Sequence, residues 1–299
     1  MLRTMNAPID VCVIGSANLD LVATTDRLPG PGETVLGHTY REHAGGKGLN
    51  QAVAAARAGA STSFCAAVGD DDAARQLLEV MTADGIDVNN VQRLAGVPTG
   101  RALIGVSANA ENSIIVVAGA NAALEPEHVR APAGTARVVL AQLEVPLATV
   151  QAALAAGRAA GAVTILNPAP AARLSAGVLG LCDVVIPNEH EIEILGGLQV
   201  LFDLGAKAVV VTLGGRGAKL CTPDGEELLV PAFAVTPIDT TGAGDAFCGA
   251  FAAAVADGAT MPQALRFAAA AGALATTRAG AAPSIAWRAE IDALVNGAG

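Results

Sequence analysis

The chain has 299 residues, a net charge of −10 and a pI near 4.8, long enough to bury one large core without disulfides or to hold two small domains. A hydrophobic share of 52% excludes a disordered chain, and acidity with only 3% aromatics argues against nucleic-acid binding, which needs a basic face or stacking platforms. Mean hydropathy of +0.48 comes largely from alanine; the longest apolar stretches, such as Ala246–Ala256, fall short of the ~20 residues of a membrane span.

In chain order, Val11–Gly15 reads as a strand, and the segment before Asp10 is too short for a secretory signal. Gly15-Ser-Ala-Asn-Leu-Asp then sets Asn18 and Asp20 just past the strand's carboxyl end, where open α/β sheets bind ligands. Asn with Asp can meet two sugar hydroxyls as donor and acceptor, or form an Asx-turn. Leu19–Arg41 has strand and turn residues but no helix. Ala44-Gly-Gly-Lys-Gly-Leu-Asn-Gln opens the helix Leu49–Ala58. Its glycines permit close approach of a small polar ligand, and Lys47, Asn50 and Gln51 supply donors; Walker A spacing is absent, and a glycine turn with a solvated lysine is the plainer reading.

A strand at Ser63–Val68 and a helix at Ala73–Asp84 follow, then Thr99–Val117, a hairpin pattern with Asn109-Ala-Glu-Asn at its turn. This pair of irregular regions, about 19–41 and 99–117, reads as a small β-lid over a cleft or as a mere extension of the main sheet. Strands at Val138–Leu143, Val163–Asn167, Val184–Pro187 and Ala208–Leu213 alternate with helices at Leu147–Ala160 and Glu189–Leu195; helices at Ala246–Ala256 and Met261–Thr276 follow. Such alternation predicts an α/β fold, three layers α/β/α around a mainly parallel central sheet. Near-continuous apolar strands such as Ala208-Val-Val-Val-Thr fit burial on both sides. No low-complexity linker or repeat interrupts the chain, so one domain over residues 1–299 is expected.

Asn188-Glu-His-Glu191 pairs an amide with a carboxylate, able to orient Mg²⁺ through water or to cap a helix. Thr212-Leu-Gly-Gly-Arg-Gly follows a buried strand and either wraps a nucleotide or turns a hairpin into Ala218–Cys221. In Asp239-Thr-Thr-Gly-Ala-Gly-Asp, residues Gly242, Ala243 and Gly244 stand where a helix begins. Amides there lack partners and the helix dipole favours an anion such as a transferring phosphoryl group. Asp245 beside that anion would take a proton from an attacking hydroxyl, or would cap the helix. The scattered cysteines and histidines show no zinc spacing and no disulfide framework, so reduced, packed thiols in a soluble cytoplasmic protein are expected.

Taken in order, Gly15-Ser-Ala-Asn-Leu-Asp, Gly45-Gly-Lys-Gly-Leu-Asn-Gln-Ala, Asn188-x-x-Glu191, Thr212-Leu-Gly-Gly-Arg-Gly and Asp239-Thr-Thr-Gly-Ala-Gly-Asp resemble the ribokinase-like sugar kinases, the phosphofructokinase B type carbohydrate kinases. Ala118-Gly-Ala-Asn-Ala-Ala-Leu, Gln142-Leu-Glu, Asn167-Pro-Ala-Pro-Ala and Thr277-Arg-Ala-Gly-Ala-Ala-Pro-Ser add to the resemblance, which covers roughly Asp10 to Leu294 and points to the ribokinase branch.

The resemblance implies ATP-dependent phosphorylation of D-ribose at O5, or of 2-deoxyribose, another pentose or a nucleoside; a non-catalytic sugar sensor is the rival reading. It implies Asp245 as general base and Gly242, Ala243 and Gly244 as anion hole. Asn18, Asp20, Gly45, Gly46, Lys47, Asn50 and Glu144 would contact sugar; Asn188, Thr212, Gly214, Gly217 and Gly244 would contact nucleotide, with Glu191 near Mg²⁺. A potassium ion would be held by Asp239, Thr241 and Ser284 and by carbonyls of Ala275, Arg278 and Gly280. A homodimer through the lid is expected as well. Family members fit a longer helical stretch where this chain has only Leu195–Lys207, so Gly197–Leu204 is expected to cover only part of the sheet edge near the nucleotide strand.

Overall fold

In the main sheet, side chains of each buried strand alternate between two cores, which is why its central strands are largely apolar. In the computed structural model, which describes residues 9–109 and 111–297, the chain begins with β1 (Ile9–Ile14), β2 (Asn18–Thr25), β3 (Gly37–Gly45), α1 (Lys47–Arg57), β4 (Thr62–Gly69) and α2 (Asp72–Ala83). It continues through β5 (Val91–Leu94), β6 (Gly100–Ser107), β7 (Asn112–Val117), α3 (Pro126–Ala133), β8 (Ala136–Ala141) and α4 (Leu147–Ala159). Next come β9 (Val163–Leu166), α5 (Ala176–Leu179), β10 (Val184–Val185), α6 (Glu189–Ile194), α7 (Leu198–Asp203) and β11 (Ala208–Thr212). The order closes with β12 (Ala218–Cys221), β13 (Glu227–Val230), α8 (Ala243–Ala256), α9 (Met261–Ala275) and α10 (Arg288–Gly297).

Nine strands form the main sheet in the order β13-β12-β11-β10-β9-β8-β1-β4-β5. Every pair from β11 to β5 is parallel; β12 and β13 add an antiparallel edge. Val11, Val13, Phe64, Val138 and Leu140 face one core with α1, α8 and α9, whereas Cys12, Ile14, Cys65 and Val139 face the other with α3 and α4. The chain leaves β1 for β4 on one side and returns to β8 on the other, so strand order reverses at β1 and β8. A crevice opens beyond the carboxyl ends at such a switch point.

The lid is a separate four-stranded sheet, ordered β3-β2-β6-β7, and not an extension of the main one. Its outer pairs are antiparallel, but β2 and β6 run parallel. The lid strands reach further than about 19–41: β2 begins at Asn18 and β3 runs four residues past Arg41, to Gly45, which pairs with Asn18. The β2–β3 pair of the lid therefore starts and ends on predicted ligand residues.

All five cysteines are buried and free, as small packed hydrophobes should be. Cys12 and Cys65, on adjacent strands, bring their sulfurs to 3.6 Å. Among the described residues no helix is long and apolar enough to cross a membrane. The short Leu195–Lys207 stretch does form a helix, α7, whose Leu201 is fully buried in the core that β11 shares.

Candidate active site

The site gathers at the carboxyl ends of β1 and β8 and the amino-terminal ends of α1 and α8. Gly46, at φ 90°, is the residue before α1 and tightens the turn from β3 into the helix. A side chain on Gly48 would strike the Gly15 backbone, so only glycine lets α1 start against β1. That contact brings Lys47, Asn50 and Gln51 over the switch point.

Asp245 is the centre of this cluster. Sequence left it as either a helix cap or a base. The residue before α8 is Gly242, left-handed at φ 76°, and no side chain caps the helix. The Asp245 carboxylate points elsewhere: its Oδ2 accepts from Asn50 Nδ2 and its Oδ1 from Gln51 Nε2, both at 2.9 Å. It is 7% exposed. In the first turn of α8 the Ala243 amide donates to Thr240 O at 3.3 Å, while the amides of Gly244 and Asp245 have no intrahelical partners and carry the positive end of the helix dipole beside this carboxylate. α8 starts three residues before the expected Ala246, so Gly242 caps it and Ala243 and Gly244 lie within the first turn.

Asn18 and Asp20, two apart on β2, share a face of the lid strand. A side chain on Gly45 would collide with the Asp20 carboxylate, so this glycine makes room for it. Glu144 follows β8; its Oε2 accepts from Ser16 Oγ at 2.5 Å and from the Lys47 backbone amide at 3.0 Å. Burial first, then Glu144 and Asp245, push the Asp20 carboxyl up to about 7. Burial alone would lower the Lys47 ammonium, but Asp245, Glu144 and Glu191 outweigh it and hold it above its ordinary value. Asp20, Glu144, Asp245 and Lys47 thus lie close enough to act on one another's charge, and the lysine is the one cation among them to offset a further anion.

Toward β11, Asn188 and Thr212 form a parallel bridge, so two nucleotide candidates are neighbours. Asn188 Oδ1 accepts from the Glu191 amide and Glu191 Oε2 accepts from the Asn188 amide, both at 2.8 Å, a reciprocal cap of α6. The cap leaves Asn188 Nδ2 and Glu191 Oε1 as the ends able to meet a ligand. Burial raises the Glu191 carboxyl above its ordinary value although Lys47 lies near it. Gly214 and Gly217 make the turn from β11 into β12, with Leu213 N–H donating to Gly217 O at 2.8 Å. Gly217 has φ 103° and any side chain would strike the Val230 carbonyl, so the hairpin itself demands glycine.

Asp239 accepts from the Thr241 amide at 2.9 Å and the Gly280 amide at 2.8 Å. Burial works against the carboxylate there, but those bonds prevail and hold Asp239 below its ordinary value. Thr276 O accepts from Ile238 and Asp239 amides, which draws the loop at 239–242 to the end of α9 and so near Ala275. Arg278 turns its guanidinium to Glu290, and the buried Ser284 donates to Ala281 O at 2.8 Å. These bonds bring Asp239, Thr241 and Gly280 together with the end of α9 at Ala275; none of them joins Arg278 or Ser284 to Asp239.

Sequence reasoning named no role for three buried amides. Gln142, Asn121 and Asn167 all sit at strand ends or turns around the switch point: Gln142 Nε2 donates to Gln51 Oε1 at 2.6 Å, and Asn167 Oδ1 accepts from Gln51 Nε2 at 3.0 Å. Their signal was an uncharged amide directly after an apolar strand, as in Gln142-Leu-Glu and Asn167-Pro-Ala. A separate cavity of about 220 Å³, lined by Ala254, Phe267, Arg288 and Val295, lies by the other end of α8 and shares nothing with this cluster.

The chain is similar over most of its length to known proteins. The chain is 38% identical over 293 residues to a ribokinase of Haemophilus influenzae, covering 93% of this chain and 95% of that one. It is 40% identical over 260 residues to a deoxyribokinase of Salmonella typhi, covering 82% and 85%. It is 39% identical over 303 residues to a bifunctional ribokinase/ribose-5-phosphate isomerase A of Fructilactobacillus sanfranciscensis, covering 96% of this chain but spanning only 56% of that longer protein. A structure of Arabidopsis thaliana ribokinase complexed with ribose and ATP superposes at TM-score 0.87 with 32% identity, covering 97% and 99%. Residues 8–288, which run from β1 to the start of α10 and include every predicted site residue, match the pfkB family carbohydrate kinases, and the chain belongs to that family.

Proposed function

We propose that this chain is an ATP-dependent kinase that phosphorylates D-ribose on its 5-hydroxyl. The observation that carries the reading is Asp245: a nearly buried carboxylate, bypassing its own helix cap, bound by two amides and set beside the first-turn N–H groups of α8. The relatives named above include ribokinases, one of them complexed with ribose and ATP.

Ribose would lie between the sheet's carboxyl edge and the lid, with hydroxyls on Asn18, Asp20, Glu144 and Lys47. Asp245 takes the 5-hydroxyl proton as that oxygen bonds to the γ-phosphorus in line, and the bond to the ADP oxygen breaks. The α8 amides and Lys47 hold the charge that builds on the transferring group. Among the described residues no cluster of three His, Cys, Asp or Glu could hold a metal, so Mg²⁺ would arrive on the nucleotide phosphates with Glu191 beside it. When bound it neutralises phosphate charge. The oxygen-only set Asp239, Thr241 and Ser284, with the carbonyls of Ala275, Arg278 and Gly280, suits a hard potassium ion that would order the loop before α8. Lid closure would exclude water from the γ-phosphate. The working form would be a cytoplasmic homodimer joined by the lids.

A second reading, a 2-deoxyribose kinase, is favoured by the deoxyribokinase relatives. An ADP-release assay with ribose, 2-deoxyribose, other pentoses and nucleosides separates the two. Ribose is expected to give the highest kcat/KM, and Asp245→Asn to abolish turnover by orders of magnitude while ribose still binds. Near-normal turnover in that variant would defeat the assignment.

A further inference from the structure

The Ala118-Gly-Ala-Asn-Ala-Ala-Leu stretch takes no part in that chemistry. It forms the short turn Gly119–Ala123 directly after β7, and within it Asn121 is 1% exposed. Asn121 directs its side-chain hydrogen bonds to Ala17, between β1 and β2, and to Asn18, the first residue of β2. Its Oδ1 accepts from the Ala17 amide at 2.9 Å; its Nδ2 donates to Asn18 Oδ1 at 2.7 Å and to Ala17 O at 3.3 Å.

A side-chain amide has one accepting end and one donating end. The Ala17 backbone N–H cannot become an acceptor, so it fixes which end of Asn121 is which. Asn121 must then donate to Asn18, and Asn18 must accept with Oδ1. Among the described residues no group takes up the Asn18 Nδ2 hydrogens. The lid locks this arrangement from above: a side chain on Gly100, the first residue of β6, would collide with both Asn121 Nδ2 and Asn18 Oδ1. Asn18 pairs with Gly100 and Gly45 across the lid strands, so the hydrogen bond sits where lid meets body.

We propose that Asn121 is a positioning residue for sugar specificity: it fixes the Asn18 amide so that the pocket offers N–H donors there and a carboxylate acceptor two residues on, at Asp20. The substrate class this selects is a polyol with neighbouring hydroxyls, one accepting from Asn18 and the next donating to Asp20. The inference rests on the kinase reading of the site.

The test is Asn121→Asp. Its carboxylate still accepts from Ala17 but cannot donate to Asn18, whose amide must turn over and present oxygen to the pocket beside Asp20. The sugar KM is expected to rise at least tenfold, with kcat at saturating sugar and the ATP KM changed far less. A fold-wide defect would move all three. A double-mutant cycle of Asn18→Ala and Asn121→Ala, with melting temperatures recorded, covers the case in which the aspartate does not fold. If Asn121 acts through Asn18, the double variant has the sugar KM of Asn18→Ala alone. A folded Asn121→Asp with an unmoved sugar KM, or additive effects in the cycle, overturns the proposal. No turnover of any sugar by the unaltered chain would instead defeat the kinase reading.

Discussion

Gln51 Nε2 donates to Asp245 Oδ1 at 2.9 Å while its Oε1 accepts from Gln142 Nε2 at 2.6 Å, so a buried chain of amides ends on the proposed base. The far end is anchored too: Gln51 Nε2 also meets Asn167 Oδ1, and Asn167 Nδ2 donates to Ile186 O at 2.8 Å. A backbone carbonyl at one end and a carboxylate at the other leave only one orientation for each amide between them. Gln51→Leu removes one of the two donors that hold the Asp245 carboxylate in place, a charged hydrogen bond of about 1.5–3 kcal/mol. kcat is expected to fall by about tenfold to a hundredfold, with the sugar KM changed far less. An unmoved kcat would mean that the chain of amides serves packing alone.

That chain of amides also marks where the sequence ceases to be legible. The layered fold could be read because β-branched runs and alanine-rich stretches alternate over nearly the whole chain, and two-sided burial leaves its mark on each strand. The charged site residues were legible because glycine-flanked loops carried them in short motifs. Gln142, Asn167 and Asn121 meet Gln51 or Asn18 across sequence separations of 91, 116 and 103 residues, and only the strand order brings them together. No local pattern encodes such a meeting. Gly217 shows the converse, since its glycine follows from a collision with the β13 end and so tells nothing by itself about a nucleotide. The last four residues of β3 were hidden because Glu42-His-Ala-Gly has no strand-like alternation, and their pairing with β2 supplies it.

Asp20 gives the site a pH signature with two opposite signs. Its carboxyl is raised from 3.8 to about 7 by burial, Glu144 and Asp245. The folded state therefore holds this proton more tightly than the unfolded one. The stability it contributes is full below 3.8 and is lost as pH rises through about 7. The melting temperature of the unliganded chain, relative to that of Asp20→Asn, is expected to fall over this window, with the difference constant on its acid side. Sugar binding runs the other way, because a hydroxyl that donates to Asp20 needs the ionised carboxylate. The sugar KM should fall as pH rises from about 6 to about 8. A melting difference independent of pH would refute the assignment.

Arg57 ties the end of α1 to the loop behind the α8 glycines. Its Nε and Nη2 bind Asp84 at 2.9 and 3.0 Å, and its Nη1 donates to Ala282 O at 3.0 Å and Ile285 O at 2.8 Å. The guanidinium also lies 5.2 Å from the Trp287 ring centre. The Asp84 side chain is 4% exposed, so Arg57→Ala strands a buried charge and two carbonyls. A loss of about 3–5 kcal/mol is expected from urea denaturation with an unchanged slope. Arg57→Lys should recover only part of it, because an ammonium cannot hold Asp84 in two places and reach the carbonyls as well. The loop matters to the site because Ala281 lies against Gly242, where an added side chain would meet it at 3.0 Å. Full stability in Arg57→Ala would show that the clamp is ornamental.

The lid ends on β7, and all six residues of that strand are exposed. Ile114, Ile115, Val116 and Val117 stand 47–61% exposed, apolar on both faces of the strand, with Leu103 on β6 at 45%. An edge strand with unpaired backbone groups and no charge to blunt it is a template for pairing with another chain. A second copy offers the same strand, and joining lid to lid would cover both edges and both apolar faces at once. Sedimentation is expected to give twice the 29.6 kDa chain mass. Ile115→Asp with Val117→Asp, on one face of β7, should shift it to the single-chain mass with the body still folded, since neither residue contacts the main sheet's cores. A single-chain mass for the unaltered protein at high concentration would leave the lid edge without a partner and end the homodimer proposal.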